Sequence, residues 1–140
     1  ELHERLIGLG CKIEIKMAKS GYMVSYLYHK KTIANYVFRK KGMIARIYGV
    51  HVNEYEEVLE TLPDELIRAI QAAPICKRLA DPDACNPKCA KGFEFWLRGE
   101  HYQKCRNSAF MFLVCPQNNP SIRLLLLKEV EAWKKSQNLF

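Results

Sequence analysis

Residues 11–50 read CKIEIKMAKS GYMVSYLYHK KTIANYVFRK KGMIARIYGV and contain four runs of strand-like sequence. In the first run Cys11, Ile13, Ile15 and Met17 alternate with charged residues, which is the period-two pattern of a strand with one buried and one solvated face. Further strands are predicted at 22–29, 32–38 and 43–50. Because only short turns rich in lysine and glycine separate the runs, we expect an antiparallel meander.

The rest of the chain changes between helical and strand-like patterns. Helices are predicted at 1–9, 53–62, 63–72 and 121–136, and strands at 92–97, 101–106 and 110–115. The chain is therefore predicted to form a single α+β domain over residues 1–140, with six to seven antiparallel strands and the helices on one face.

The order of the predicted elements also repeats weakly within the chain. Gly21-Tyr22 and Gly92-Phe93 each open the order strand, strand, strand, helix. This repeat suggests two pseudo-repeated β-β-β-α halves, at about 1–74 and about 92–140, joined by a cysteine-rich loop at about 75–91. Two such halves would leave a groove between them, where aromatic side chains either bind a small ligand or pack as ordinary core. The aromatic candidates are Tyr22, Tyr26, Tyr28, Tyr36, Tyr48, Trp96 and Tyr102.

Four of the six cysteines, Cys76, Cys85, Cys89 and Cys105, lie within 30 residues of one another, at 76–105. Cys85 and Cys89 form a C-x3-C pair in a loop, while Cys76 follows a predicted helix and Cys105 lies in a predicted strand. Thiolates from separate segments are typical of structural zinc, so we expect a Zn²⁺ ion that staples the loop to the helix end and the hairpin. The outer spacings are not paired C-x2-C motifs, and His101 is a rival ligand. Disulfides and free thiols are the alternatives.

The same residues give weaker support for a catalytic function than for a structural metal site. A zinc site with an open coordination position would suit a hydrolase, with His101 or Glu100 beside a bound water. Cys11 and Cys115 lie at apolar positions of predicted strands, where a thiol packs as a small hydrophobic group. The sequence has no glycine-rich phosphate loop, no G-x-S-x-G elbow and no H-E-x-x-H helix. These observations favour a non-enzymatic protein.

The formal net charge of the chain is +7. In a meander the first and third turns lie at the same end of the sheet, and basic residues concentrate there. These residues are Lys16, Lys19, Arg39, Lys40 and Lys41. They predict a patch that binds nucleic acid or another polyanion. Simple solvation of charged hairpin tips is the alternative.

Together these patterns predict an intracellular, cytoplasmic binding module that is stabilised by zinc and binds a polyanion. The chief alternative is a small-ligand sensor or accessory protein that uses the aromatic groove, and a zinc hydrolase comes third. No apolar run approaches the roughly 18–20 residues that a membrane span needs, so no membrane partner is expected. The sequence predicts no particular oligomeric state.

Overall fold

The computed structural model describes residues 2–18, 21–39, 42–76, 92–106 and 108–137. The strands are β1 (Lys12–Ala18), β2 (Gly21–Tyr28), β3 (Lys31–Arg39), β4 (Gly42–Ile47), β5 (Phe93–Leu97), β6 (Glu100–Lys104) and β7 (Phe110–Leu113). The helices are α1 (Leu2–Gly8), α2 (Glu56–Leu59), α3 (Asp64–Gln71) and α4 (Asn119–Gln137), and a 3₁₀ turn at Val52–Glu54 precedes α2.

The strands form a five-stranded sheet in the order β1-β2-β3-β4-β7 and a separate two-stranded sheet of β5 and β6. Every pairing between these strands is antiparallel. The α+β class and the meander of the first four strands are therefore confirmed. Short turns explain why the meander could be predicted, since each one brings a strand back beside the strand that precedes it in the chain.

The strands do not divide into the two β-β-β-α halves that the sequence suggested. β7 leaves β5 and β6 and pairs with β4, with Ile47 opposite Phe110 and Ala45 opposite Phe112. This pairing satisfies the free backbone groups of β4 and buries both phenylalanines. The repeated pattern specified the type of each element but not its pairing partner, which is why that prediction was wrong.

One face of the large sheet packs against the helices. The registers place Tyr26, Ala34, Ile47 and Phe110 in one cross-strand row, and all four are buried. The same core contains side chains of every helix, namely Leu6 of α1, Leu59 of α2, Leu66, Ile67 and Ile70 of α3, and Leu126 and Val130 of α4. Burial of this face accounts for most of the apolar surface that the fold removes from water.

β1 departs from the half-buried strand that its alternation predicts. Ile13, Ile15 and Met17 lie on the same face as the core row but are 39%, 61% and 74% exposed. β1 is an edge strand, with β2 as its one neighbour among the described strands. The helices cover the centre of the sheet and leave this edge open.

Acidic side chains of the α2 region cover the outer edge of β5. The backbone N–H groups of Trp96 and Arg98 donate to the carboxylates of Glu56 and Glu60, both at 2.9 Å. The Arg98 guanidinium also donates to Asp64 at 2.8 Å, and this ion pair lowers the pKa of Asp64. Glu56 and Glu60 are four residues apart, which places them on one side of the helical turn. Part of the acidic run at 54–65 therefore blocks a sheet edge.

Lys104 joins the small sheet to α3. Its side chain is buried, and its ammonium donates to the carbonyl oxygens of Gln71 and Ala73, each at 2.8 Å. These carbonyls lie at the C-terminal end of the helix, where they lack partners within the helix and the helix dipole favours a cation. Burial lowers the pKa of Lys104.

Candidate ligand pocket and predicted metal site

Glu129 is the fully buried acidic residue at the centre of the candidate site. Its carboxylate accepts hydrogen bonds from the Tyr55 hydroxyl at 2.7 Å and from the backbone N–H of His51 at 3.1 Å and 3.2 Å. The Nδ1 atom of His51 lies 2.9 Å from the same carboxylate. Several donors that converge on one carboxylate compensate for its removal from water.

The carboxylate fixes the orientation of the His51 ring. Because Glu129 accepts, Nδ1 carries a proton and donates. Nε2 makes no hydrogen bond within the described part of the chain. The ring also makes an edge-on contact with the indole of Trp133, with centroids 4.7 Å apart. The packing and the hydrogen bond together hold one ring orientation.

Tyr55 completes the support of the carboxylate. Burial, followed by the negative charge of Glu129, raises the pKa of Tyr55 well above its usual value. The hydroxyl therefore stays protonated and remains a donor at any physiological pH.

An open cavity of about 540 Å³ lies against His51. Its walls come from the segment after β4, from the small sheet and from the C-terminal part of α4. The lining residues are Val50, His51, Asn53, Glu54, Phe93, Glu94, Arg106, Trp133 and Ser136. The buried indole N–H of Trp133 has no acceptor among the described residues. The cavity thus combines the aromatic side chains of Phe93 and Trp133 with the imidazole ring of His51.

The sequence carried one signal for this site that was missed. Leu126, Glu129, Val130 and Trp133 follow the i, i+3, i+4, i+7 pattern of a single helix face. A carboxylate within an apolar stripe is unusual and requires a buried partner. That partner, His51, lies 78 positions away in sequence, so no local spacing could reveal it.

Two of the four predicted zinc ligands lie on adjacent segments. The N–H of Cys76 donates to Gln103 O at 3.0 Å, and the N–H of Cys105 donates to Pro74 O at 2.9 Å. These bonds flank an antiparallel bridge between Ile75 and Lys104. Because side chains alternate along each strand, Cys76 and Cys105 lie on the same face of this paired segment. Backbone pairing therefore joins the segment after α3 to the hairpin at this point.

Gly92 packs closely against the side chain of Cys76. The Sγ atom of Cys76 accepts a hydrogen bond from the N–H of Gly92 at 3.3 Å. A Cβ atom at position 92 would clash with Lys104 O and with Cys76 Sγ, so the close approach requires glycine.

The remaining cysteines of the predicted set, Cys85 and Cys89, lie outside the described residues. Within the described ranges no group of three or more His, Cys, Asp or Glu side chains is placed to hold a metal ion. The rival ligand His101 lies near the turn of the hairpin, with Nε2 3.6 Å from Glu94. It is four positions from Cys105 along the chain, which is about 13 Å in a strand. This separation disfavours a shared metal ion.

The basic patch is only partly described. Lys16 and Arg39 lie in β1 and β3, whereas Lys19, Lys40 and Lys41 fall outside the described residues. The pairings Ala18–Gly21 and Arg39–Gly42 end both hairpins at the same end of the sheet, as the meander predicts. Lys16 makes an exposed ion pair with Glu14 at 2.8 Å, so part of its charge is already offset.

The predicted aromatic groove is not formed by the residues proposed for it. Tyr26 and Tyr28 are buried in the core, and Tyr102 stacks on Phe95. Tyr22 and Trp96 are exposed but belong to different sheets. The aromatic side chains that line the cavity beside His51 are Phe93 and Trp133. The groove prediction was thus wrong in its residues, because β7 joined the first sheet.

Comparison with protein-family models, curated proteins and solved structures gives no match. In the part of the chain that the structure describes, no helix is long and apolar enough to cross a membrane.

Proposed function

We propose that this chain binds a small molecule in the cavity beside His51, and that His51 is the polar anchor for it. The observation that carries the proposal is the fully buried Glu129, which holds the His51 ring with Nε2 unused. A buried carboxylate is costly, and an apolar side chain of similar volume serves a purely structural role at least as well. The dyad of His51 and Glu129 resembles the orienting pairs of functional sites, in which a carboxylate sets the tautomer of a histidine.

The lining indicates the chemistry of the ligand. Phe93 and Trp133 offer aromatic surface for a planar molecule. His51 Nε2 would accept a hydrogen bond from the ligand. A planar heteroaromatic compound that carries a hydrogen-bond donor meets these conditions. If its donor is acidic, His51 would also act as a proton acceptor.

A fluorescence screen tests this proposal directly. Trp96 is exposed on the small sheet, so Trp96→Phe leaves Trp133 as the single tryptophan reporter beside His51. A panel of purines, pterins and indoles should include compounds that change the emission of this variant. His51→Ala should abolish the response, whereas His101→Ala, which alters an exposed histidine outside the cavity, should keep it. A response that survives His51→Ala would contradict the proposal.

We also propose that Cys76, Cys85, Cys89 and Cys105 bind a structural zinc ion, as the sequence predicted. Adjacent placement of Cys76 and Cys105, with an N–H donated to the Cys76 sulfur, supports the proposal. Purified protein should carry about one zinc per chain, and Cys89→Ser should remove it. Protein that is folded and free of metal would overturn the assignment. A cytoplasmic location belongs to the same proposal, since reduced thiols persist there.

Polyanion binding is the second candidate function. One additional observation favours it: the aromatic side chains of Tyr22 and Phe38 are exposed at the sheet end that carries Arg39. Exposed rings beside cations are typical of surfaces that bind single-stranded nucleic acid. Binding should weaken steeply as salt rises, and Lys40→Glu combined with Lys41→Glu should abolish it. A mobility-shift assay at low salt without any shift would exclude this function.

A further inference from the structure

The free edge of β1 carries an apolar row that the rest of the described chain leaves uncovered. Ile13, Ile15 and Met17 point to the helix-covered face of the sheet, yet they are 39%, 61% and 74% exposed. Such a row on a strand edge is a liability for a protein that remains monomeric, because it invites pairing with another strand.

The free backbone N–H and C=O groups of this edge belong to Ile13, Ile15 and Met17. Ala18 and Gly21 flank the two-residue connection of the first hairpin and pair with each other. In antiparallel ladders hydrogen-bonded pairs alternate with pairs that are not hydrogen-bonded. Ala18 and every second residue before it in β1 therefore form backbone hydrogen bonds with β2. The N–H and C=O groups of Ile13, Ile15 and Met17 therefore point away from β2. They are available to a strand added at this edge.

We propose that the chain forms a dimer in which β1 pairs antiparallel with β1 of a second copy, about a two-fold axis through Ile15. Ile15 then faces Ile15 of the second copy, and Ile13 faces its Met17. The two five-stranded sheets join into one continuous sheet, and the apolar rows lie side by side on one face. The arrangement is isologous, so it closes at two chains.

Charge selects this register over its neighbours. With the axis at Ile15, each Glu14 lies opposite Lys16 of the second copy, and each cross-strand pair of opposite charge contributes roughly 0.2–1 kcal/mol. An axis at Glu14 would place glutamate opposite glutamate and Lys12 opposite Lys16. An axis at Lys16 would place lysine opposite lysine. The intramolecular ion pair of Glu14 and Lys16 at 2.8 Å shows that both charges already lie on the same face of the strand.

Cysteine cross-linking tests the register. In Ile15→Cys the new thiols of two copies would face each other with Cα atoms about 5.5 Å apart, within disulfide range. In Met17→Cys they would be about 13 Å apart, because Met17 faces Ile13. Mild oxidation should link Ile15→Cys into a covalent dimer, while Met17→Cys and the wild type, which shares the native cysteines, should stay unlinked. Equal cross-linking of both variants would overturn the proposed axis.

Analytical ultracentrifugation of charge variants tests the dimer without new thiols. The wild type should sediment as a dimer at about 100 µM, the range in which small interfaces assemble. Glu14→Lys and Lys16→Glu should each weaken association by several fold, and the double variant should restore it. A monomeric wild type, or a double variant weaker than both single ones, would overturn the proposal. Glu14 and Lys16 are both exposed on an edge strand, so the fold itself should tolerate these changes.

Discussion

Glu129 shows how one side chain can define a site. It is fully buried in a helix whose other inward residues are apolar, and its carboxylate accepts hydrogen bonds from His51 and Tyr55. An unpaired carboxylate at this depth would destabilise the fold by several kcal/mol, so His51 and Tyr55 are required partners. His51 also lines the cavity. Structure and proposed function therefore depend on the same atoms.

We predict that Glu129→Gln lowers the free energy of unfolding by about 1–3 kcal/mol, because it weakens charge-assisted hydrogen bonds in a buried site. Urea unfolding followed by circular dichroism measures this change. Glu131→Gln is the matched control, since Glu131 is exposed on the same helix, and its effect should stay within about 0.5 kcal/mol. Equal effects of the two substitutions would contradict the role assigned to Glu129.

Cys11 gives a pH-dependent prediction. Burial raises the pKa of Cys11 from 9.0 to about 11. At pH 8 only about 0.1% of this thiol would be ionised, so alkylation by iodoacetamide should be far slower than in the unfolded chain. Mass spectrometry of alkylated peptides measures the rate at this one position. Rapid labelling of Cys11 in the native protein would contradict its burial.

The raised pKa of Cys11 also determines how the stability of the fold changes at alkaline pH. Between pH 9 and pH 11 the unfolded chain loses the Cys11 proton first, because its pKa is the lower one. The contribution of this thiol is therefore fully present below pH 9 and is lost as the pH rises toward 11. Cys11→Ala should remove that part of the alkaline loss of stability.

The hairpins show which elements could be predicted from sequence. The turn between β2 and β3 consists of His29 and Lys30, and both adopt positive φ angles, 49° and 69°. A two-residue connection requires this left-handed geometry, for which Asn-Gly is the preferred sequence. Loop length thus specified the meander even where the turn residues were poor. The partner of β7 could not be predicted, since no short loop tied it to β4.

We predict that His29→Asn combined with Lys30→Gly stabilises the protein by about 1 kcal/mol, because each non-glycine residue in this conformation is strained. Thermal unfolding measures the gain. The turn between β5 and β6, Arg98 and Gly99, already has glycine at its second position. Arg98→Asn there should give a smaller gain, and Arg98 also contributes an ion pair to Asp64. If His29→Asn combined with Lys30→Gly lowered the stability, the proposal that this turn is strained would be wrong.

At the scale of the whole molecule, sequence reasoning predicted the α+β class and the meander. It did not predict the cavity, whose walls come from segments near residues 51, 93 and 133. Such a site arises only when β7 inserts beside β4 and brings α4 across the sheet. The exposure of the apolar residues of β1 could not be predicted for a similar reason. Alternation reports which side chains should be buried, but not whether the same chain or a second copy buries them.

The central proposal is that the cavity beside His51 binds a planar small molecule, and calorimetry tests it most directly. The compound with the largest fluorescence response should be titrated into the wild type, His51→Ala and His101→Ala. We expect the wild type and His101→Ala to bind with equal affinity, and His51→Ala to bind at least tenfold more weakly, which is about 1.4 kcal/mol. Equal affinity of His51→Ala and the wild type, or no binding by any compound of the panel, would contradict it.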